Sequence, residues 1–166
     1  DIADELADRD ACFFCLGVSS VGMSEAEYSR LTYDVTLALA TVLADRRPGA
    51  AFCFVSGAGT DSTEQGRSMW ARVKGRTENA LFRLPLEVYA FRPGFVQPLK
   101  GVKSKTALYQ ALYVATGPII PLVRRLFPDS ITTTVNIGRA MINVAESGYP
   151  TRILGNREIN DAARPA

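Results

Sequence analysis

Short apolar runs alternate with longer amphipathic segments along the first half of the chain. Residues 10–16, 51–56 and 87–92 are rich in aromatic and branched side chains, as buried strands are. Residues 24–46 and 67–82 lie between these runs and carry apolar positions at helical spacing. Strands that alternate with helices of this length form parallel sheets. The pattern therefore predicts an α/β fold, with a parallel sheet covered by helices on both faces.

The first long helix has a well-defined predicted start and end. Ser24 and Glu27 have the spacing of a capping box, and Pro48-Gly49 ends the helix. We expect an apolar stripe of this helix to face the sheet, made of Leu31, Val35, Ala38, Leu39 and Val42. The run at residues 10–16 is continuously apolar, which predicts a strand covered on both faces.

The second half of the chain is less regular. Helices are predicted over residues 104–115, 119–126 and 135–146, and a last short strand over residues 151–154. Five cations lie in or beside the first two helices: Lys100, Lys103, Lys105, Arg124 and Arg125. We expect these helices to pack on the sheet or to form a homodimer interface, with a membrane surface as the alternative. No linker or repeat divides residues 1–166, so we predict one domain.

The composition excludes several functions. The chain has no histidine, which rules out Ser-His and Cys-His nucleophiles and argues against a zinc site, so we predict no metal. Its formal net charge is +2 and no basic stripe is present, which argues against nucleic-acid binding. No signal peptide and no apolar run long enough to span a bilayer are visible, so we expect a cytoplasmic protein.

The three cysteines are predicted to be free thiols. Cys12 and Cys15 form a Cys-x-x-Cys motif, which suggests a redox or metal site. Both lie in the first predicted strand, however, and residues three apart on a strand point to opposite faces. We therefore expect neither a disulfide nor a shared metal, and Cys53 is expected to be a small buried apolar residue. Reduced thiols agree with a cytoplasmic location.

Three predicted strands end in residues that suit a ligand site. Gly17, Ser56 and Pro93-Gly94 follow these strands, and the carboxyl ends of parallel strands share one edge of a sheet. The next helix adds Lys74. Two simpler interpretations stand beside this one: Lys74 pairs in solvent with Glu78, four residues on, and Ser56 caps its own turn.

Six short motifs, in this order, span nearly the whole chain: Cys15-Leu16-Gly17, Val55-Ser56-Gly57-Ala58-Gly59-Thr60-Asp61, Arg72-Val73-Lys74-Gly75-Arg76-Thr77-Glu78, Phe91-Arg92-Pro93-Gly94, Phe127-Pro128-Asp129-Ser130 and Gly138-Arg139-Ala140-Met141. With them the chain resembles the atypical short-chain dehydrogenase/reductases, which are NAD(P)-binding proteins with a Rossmann fold. Within these it is most similar to the Tat-interacting-protein oxidoreductase group and its bacterial, epimerase-like relatives.

The resemblance implies roles for particular residues. Ser56 would orient the substrate oxygen and Lys74 would hold the nicotinamide ribose. Trp70 stands where active members of the family have the tyrosine that transfers a proton. An indole N–H is a donor that does not ionise near neutral pH, so the proton must come from another group. Tyr28 and Tyr33, on the preceding helix, are the nearest candidates.

The cofactor implied by the resemblance is NAD(P), with NADP(H) favoured. Its nicotinamide end would contact the backbone of Leu16, Gly17, Val18, Pro93, Gly94 and Phe95, besides Ser56 and Lys74. The glycine fingerprint with which the family opens is missing, so we expect an N-terminal truncation and weak dinucleotide binding.

Two functions follow from these expectations. The first is an NAD(P)-dependent oxidoreductase or epimerase that acts on an unknown small-molecule substrate with an altered proton donor. The alternative is a non-catalytic dinucleotide-binding protein that serves as a redox sensor or scaffold. Trp70 favours the alternative, whereas the presence of Ser56 and Lys74 favours the enzyme.

Overall fold

The computed structural model describes residues 2–97 and 130–165. Four of its strands form a parallel sheet in the order β1-β2-β3-β6, namely Ala11–Phe14, Ala51–Val55, Glu87–Phe91 and Ile153–Leu154. The predicted Rossmann-like α/β fold is thereby confirmed. The predicted strands are each longer than the observed ones by one to three residues because the strand ends continue into loops at the edge of the sheet.

Helices cover both faces of this sheet. A short helix α1, Ile2–Leu6, precedes β1. The connection from β1 to β2 contains α2, Glu25–Ser29, a π-helical segment, Arg30–Asp34, and α3, Val35–Arg46. The remaining helices are α4, Met69–Leu81, α5, Thr134–Ser147, and α6, Asn156–Ala162.

Two hydrophobic cores lie on opposite faces of the sheet. Because side chains alternate along a strand, Phe52 and Phe54 face one core and Cys53 faces the other. The first core is completed by α3 and α4 and the second by α5 and α6. The three β2 side chains are fully or almost fully buried, and each buried phenylalanine contributes roughly 1.5–3 kcal/mol to folding.

The first long helix begins as predicted but turns a different face to the sheet. Ser24 and Glu27 form the capping box. The buried positions are Tyr28, Thr32, Thr36, Ala40, Leu43 and Ala44, whereas Val35 of the predicted stripe is 40% exposed. Its apolar residues are spread around the helix, and the π-helical segment rotates the helix face that follows. Periodicity alone therefore selected the wrong stripe.

The strand β1 is less covered than its sequence predicts. Phe14 is buried, but Phe13 on the opposite face is 44% exposed. Among the described strands, β1 pairs with β2 alone and forms one edge of the sheet. A continuously apolar run therefore did not indicate burial on both faces here.

A second, two-stranded sheet was not predicted. β4, Phe95–Gln97, pairs in parallel with β5, Ile131–Thr133, directly before α5. Thr133, the last residue of β5, caps α5 by accepting a hydrogen bond from the Asn136 N–H. The predicted helices over residues 104–115 and 119–126, with their cations, lie outside the described residues.

Gly75 lets α4 approach the loop that follows β2. A Cβ at this position would lie 1.7 Å from the Asp61 carbonyl oxygen. The backbone at Asp61 also donates a hydrogen bond to the Ala71 carbonyl of the same helix. Helix and loop are therefore in direct backbone contact. None of the described helices is long and apolar enough to cross a membrane.

Candidate functional site

The carboxyl ends of β1, β2 and β3 meet at one edge of the sheet, as predicted. Two backbone hydrogen bonds join the segments that leave β2 and β3. The Ser56 N–H donates to the Phe91 carbonyl at 2.7 Å, and the Ala58 N–H donates to the Pro93 carbonyl at 2.9 Å. The predicted residues Ser56, Pro93 and Gly94 are thus held close together at the sheet edge.

Lys74 turns from α4 towards the end of β2. Its Nζ donates to the Ser56 carbonyl oxygen at 2.6 Å and lies 3.4 Å from the Val55 carbonyl oxygen. It also lies 5.8 Å from the centre of the Phe54 ring. Burial lowers the pKa of the Lys74 ammonium, and the charge of Glu78 acts in the opposite direction by raising it. Lys74 is therefore not the solvated helix charge of the simpler interpretation.

Glu78 pairs with Arg92 instead of with Lys74. The Glu78 side chain is fully buried, and Arg92, at the end of β3, donates to both of its carboxylate oxygens. The same guanidinium donates to the hydroxyl of Ser62, in the loop after β2. One arginine thereby links three elements of the sheet edge. A bidentate arginine–carboxylate pair has fixed geometry and is stronger than a neutral hydrogen bond.

The Ser56 hydroxyl belongs to a chain of hydrogen bonds within its own turn. Ser56 Oγ lies 2.7 Å from Thr60 Oγ1, and Thr60 Oγ1 lies 2.8 Å from the Gly57 carbonyl oxygen. A carbonyl oxygen accepts but never donates, so Thr60 uses its single proton there and Ser56 donates to Thr60. Both side chains are 7% exposed. Ser56 thus caps its turn, and its oxygen keeps capacity to accept a further hydrogen bond.

Trp70 packs on the glycine turn after β2. A Cβ on Gly59 would lie 3.4 Å from the indole Cη2, and one on Gly57 would lie 4.0 Å from Cζ3. Gly59 also has a φ of +87°, a conformation that glycine adopts without strain. The small residues of this turn therefore accommodate a large aromatic ring at the position where the resemblance implies a tyrosine.

The rest of this loop is held by side chains. The Asp61 carboxylate accepts hydrogen bonds from the N–H and hydroxyl of Thr63 and from the N–H of Gly66. These bonds lower the pKa of Asp61. Asn79 of α4 donates to the Ser62 carbonyl at 3.0 Å. The loop between β2 and α4 is therefore a well-ordered turn with many internal bonds.

The loop after β1 is open by contrast. Leu16 is 58% exposed and Val18 is 38% exposed. A Cβ on Gly17 would meet no atom of the described residues within 4 Å. These three residues lie at the predicted edge of the sheet, where residues 2–97 and 130–165 leave their backbone uncovered.

The turn after β3 is tied to the C-terminal part of the chain. The Gly94 N–H donates to Asn156 Oδ1 at 3.0 Å, and Asn156 Nδ2 donates to the Ser130 carbonyl at 2.6 Å. Phe95 follows as the first residue of β4 and pairs with Ile131. The N-terminus of α6 therefore positions the Pro93-Gly94 turn.

The two candidate tyrosines have partners other than Ser56 and Lys74. The Tyr33 ring lies under the guanidinium of Arg76, 4.5 Å from the Cζ atom to the ring centre. Arg76 is two residues from Lys74, so the two side chains leave α4 in nearly opposite directions. Tyr28 is 2% exposed, and burial raises the pKa of its hydroxyl. The Tyr28 hydroxyl bonds to Thr32 and the Ser56 hydroxyl to Thr60, so the described contacts join neither tyrosine to Ser56.

Cys12, Cys15 and Cys53 are free thiols, as predicted. Burial raises the pKa of Cys12 to about 11 and that of Cys53 to about 12, and the pKa of Cys15 is also raised. These thiols remain protonated near neutral pH. Within residues 2–97 and 130–165, no group of three or more acidic or cysteine side chains is placed to hold a metal ion.

No protein-family model matches the sequence, and no curated protein is similar to it.

Two residues of the site had no predicted role. Thr60 stood within the quoted motif after β2, where a hydroxyl four residues after Ser56 could have indicated a bonded turn. Arg92 precedes Pro93, and its pairing with Glu78 had no signal in the sequence because they are 14 residues apart on different elements.

Proposed function

We propose that this chain is an NAD(P)-binding oxidoreductase or epimerase-like protein of the atypical short-chain dehydrogenase type, with the nicotinamide side of the dinucleotide at the carboxyl edge of its sheet. The observation that carries the proposal is the direction of Lys74. A lysine that served only solubility would extend into water. This one is drawn towards the end of β2, beside Ser56 and the turn after β3.

The residues at this edge fit the nicotinamide half of a dinucleotide. An ammonium group has three donors, and the carbonyls of Ser56 and Val55 use at most two of them, so Lys74 has a donor left for a ribose hydroxyl. The open backbone around Gly17 leaves room on the β1 side. When bound, the nicotinamide would supply hydride chemistry; the chain's own residues bind and orient it.

Ser56 would bind a substrate hydroxyl through its oxygen. Its proton is directed to Thr60, so Ser56 accepts rather than donates a hydrogen bond in this arrangement. The resemblance implies that active relatives place a tyrosine hydroxyl next to this group, where it exchanges the proton. Here the indole of Trp70 packs on the glycine turn. This contact favours a second candidate function, a dinucleotide-binding redox sensor without catalysis.

Dinucleotide binding is tested by titrating the chain with NADPH and NADP⁺ by calorimetry. We expect weak but saturable binding, which Lys74→Ala weakens by about tenfold or more because an ammonium–hydroxyl bond is lost. Arg83→Ala is the matched control, since Arg83 is exposed at the loop after α4. Equal affinity of the Lys74 variant and the parent would refute the role of Lys74, and absence of any saturable binding would refute the proposed function.

The two candidate functions differ in hydride transfer. The enzyme proposal predicts NADPH-dependent reduction within a panel of aldehydes and ketones, or oxidation of the matching alcohols. The sensor proposal predicts no turnover by the parent and gain of turnover in Trp70→Tyr, which restores an ionisable hydroxyl. General acid–base catalysis contributes typically about 10²–10⁴-fold in rate, so such a gain is measurable. Trp70→Phe is the control, because it reduces ring size without adding a hydroxyl.

A further inference from the structure

The carboxylate of Glu78 has two cations within its reach, and they come from different elements. Lys74 precedes it by four residues on α4, a spacing that brings side chains together on one helix face. Arg92 approaches from the end of β3. The sequence pattern predicts the first pairing, whereas the structure contains the second.

Which of the two cations pairs with Glu78 matters because the Glu78 side chain is fully buried. A buried carboxylate is stable when a cation and additional hydrogen bonds compensate its charge. Arg92 meets this need with a bidentate contact, and its second contact with Ser62 holds the guanidinium in place. A lysine would supply a single point charge without this fixed geometry.

We infer that Arg92 is a positioning residue for Lys74: by occupying the carboxylate of Glu78, it leaves the ammonium of Lys74 to extend to the Ser56 carbonyl. The functional importance of this rests on the proposed dinucleotide site, where Lys74 would meet the ribose. The choice of partner by Lys74 is itself a property of the folded chain and is measurable without any ligand.

The inference predicts a specific exchange of partners. Without the guanidinium, the buried carboxylate of Glu78 recruits Lys74, its remaining neighbour at helical spacing, and the ammonium leaves Ser56. Removal of Glu78 has the opposite consequence. Lys74 then stays at the strand end and loses the favourable charge that raises its pKa.

The experiment measures the pKa of Lys74 by NMR of the full chain labelled with [¹³Cε]lysine. The sequence contains four lysines, Lys74, Lys100, Lys103 and Lys105, so a Lys74→Arg variant assigns the signal. Arg92→Gln is expected to raise the pKa of Lys74, and Glu78→Gln is expected to lower it. Both changes break the same ion pair, so a general loss of packing would move the two values in the same direction.

Three further variants complete the test. The Glu78→Gln/Arg92→Gln double variant should resemble Glu78→Gln, because no carboxylate is left to attract Lys74. Arg92→Lys keeps the charge but loses the bidentate contact, so its Lys74 pKa should lie between those of the parent and Arg92→Gln. Should Arg92→Gln fail to fold, the remaining variants provide the same test. The pKa of Lys74 should then rise in the order Glu78→Gln, parent, Arg92→Lys. Arg83→Gln, at an exposed arginine, should leave the pKa unchanged.

An unchanged or lowered Lys74 pKa in the Arg92 variants would overturn the inference, since Glu78 would then become protonated instead of recruiting Lys74. NADPH titration of the same variants is a separate arm. We expect about tenfold weaker binding in Arg92→Gln and recovery to within about threefold of the parent in the double variant. If the parent itself binds no NADPH, the proposed function fails, whereas the pKa order still decides the inference.

Discussion

The loops that follow β1 and β2 leave the same edge of the sheet but are built in different ways. After β2, the chain is held by the Ser56–Thr60 hydroxyl pair, by the Asp61 turn and by backbone contact with α4. After β1, Leu16 and Val21 are 58% and 88% exposed. Both loops were candidates for a ligand site, and of the two the loop after β2 places side-chain chemistry at fixed positions.

The two loops meet two different requirements of a ligand site. Catalytic and binding side chains must be held within a fraction of an ångström, which requires packing and hydrogen bonds around them. A segment that offers only backbone to a ligand needs access rather than internal bonds. The loop after β2 meets the first requirement, and the loop after β1 meets the second.

Loss of the contact between α4 and the loop after β2 should lower the free energy of unfolding more than any other change considered for these two loops. Gly75→Ala places a Cβ 1.7 Å from the Asp61 carbonyl oxygen, so α4 and the loop must separate. We expect a loss of about 3 kcal/mol in the free energy of unfolding, at the upper end of overpacking effects, measured by urea denaturation.

Gly138→Ala is the matched control for that change. Gly138 lies within α5, and in the part of the chain that the structure describes a Cβ there would meet nothing within 4 Å. Alanine is the better helix former, so this variant should gain roughly 0.5–1 kcal/mol. A Gly75 variant as stable as the parent would show that the loop is not held against α4.

The hydroxyl pair of Ser56 and Thr60 should contribute less to the free energy of unfolding than the contact at Gly75. Thr60→Val removes a buried hydroxyl that bonds both Ser56 and the Gly57 carbonyl. Leaving buried polar groups without partners costs about 1–3 kcal/mol, so we expect a loss in this range by urea denaturation. Thr60→Ser keeps the hydroxyl and should lose less. Thr60→Val keeps the methyl group, so a negligible loss in this variant beside a clear loss in Thr60→Ser would mean that the methyl group, not the hydrogen bond, holds the turn.

The smallest effect is expected in the loop after β1. Val21→Ala should change the free energy of unfolding by no more than about 0.5 kcal/mol, because the side chain is 88% exposed. The same substitution at Val73, which is 1% exposed on α4, should cost about 2 kcal/mol. A large loss at Val21 would show that this loop packs more tightly than its exposure indicates, and would remove the contrast between the two loops.

The sequence by itself determined the α/β class, the parallel order of the first three strands and the edge at which they end. These features follow from local patterns: apolar runs of strand length, a capping box at Ser24 and Glu27, and glycine or proline at the ends of elements. The pairing of Ser56 with its own turn was also open to prediction, because both partners lie within five residues.

Only the tertiary structure decided which groups face one another. The stripe of α3 was chosen wrongly because its apolar residues surround the helix, and the sheet, not the helix, selects the buried side. The small sheet of β4 and β5 joins segments more than thirty residues apart. Lys74 and Glu78 have the spacing of a pair, yet Arg92, directly after β3, pairs with the carboxylate and Lys74 turns to the end of β2. A buried charge is compensated by whichever cation the fold brings closest, and local spacing does not contain that information.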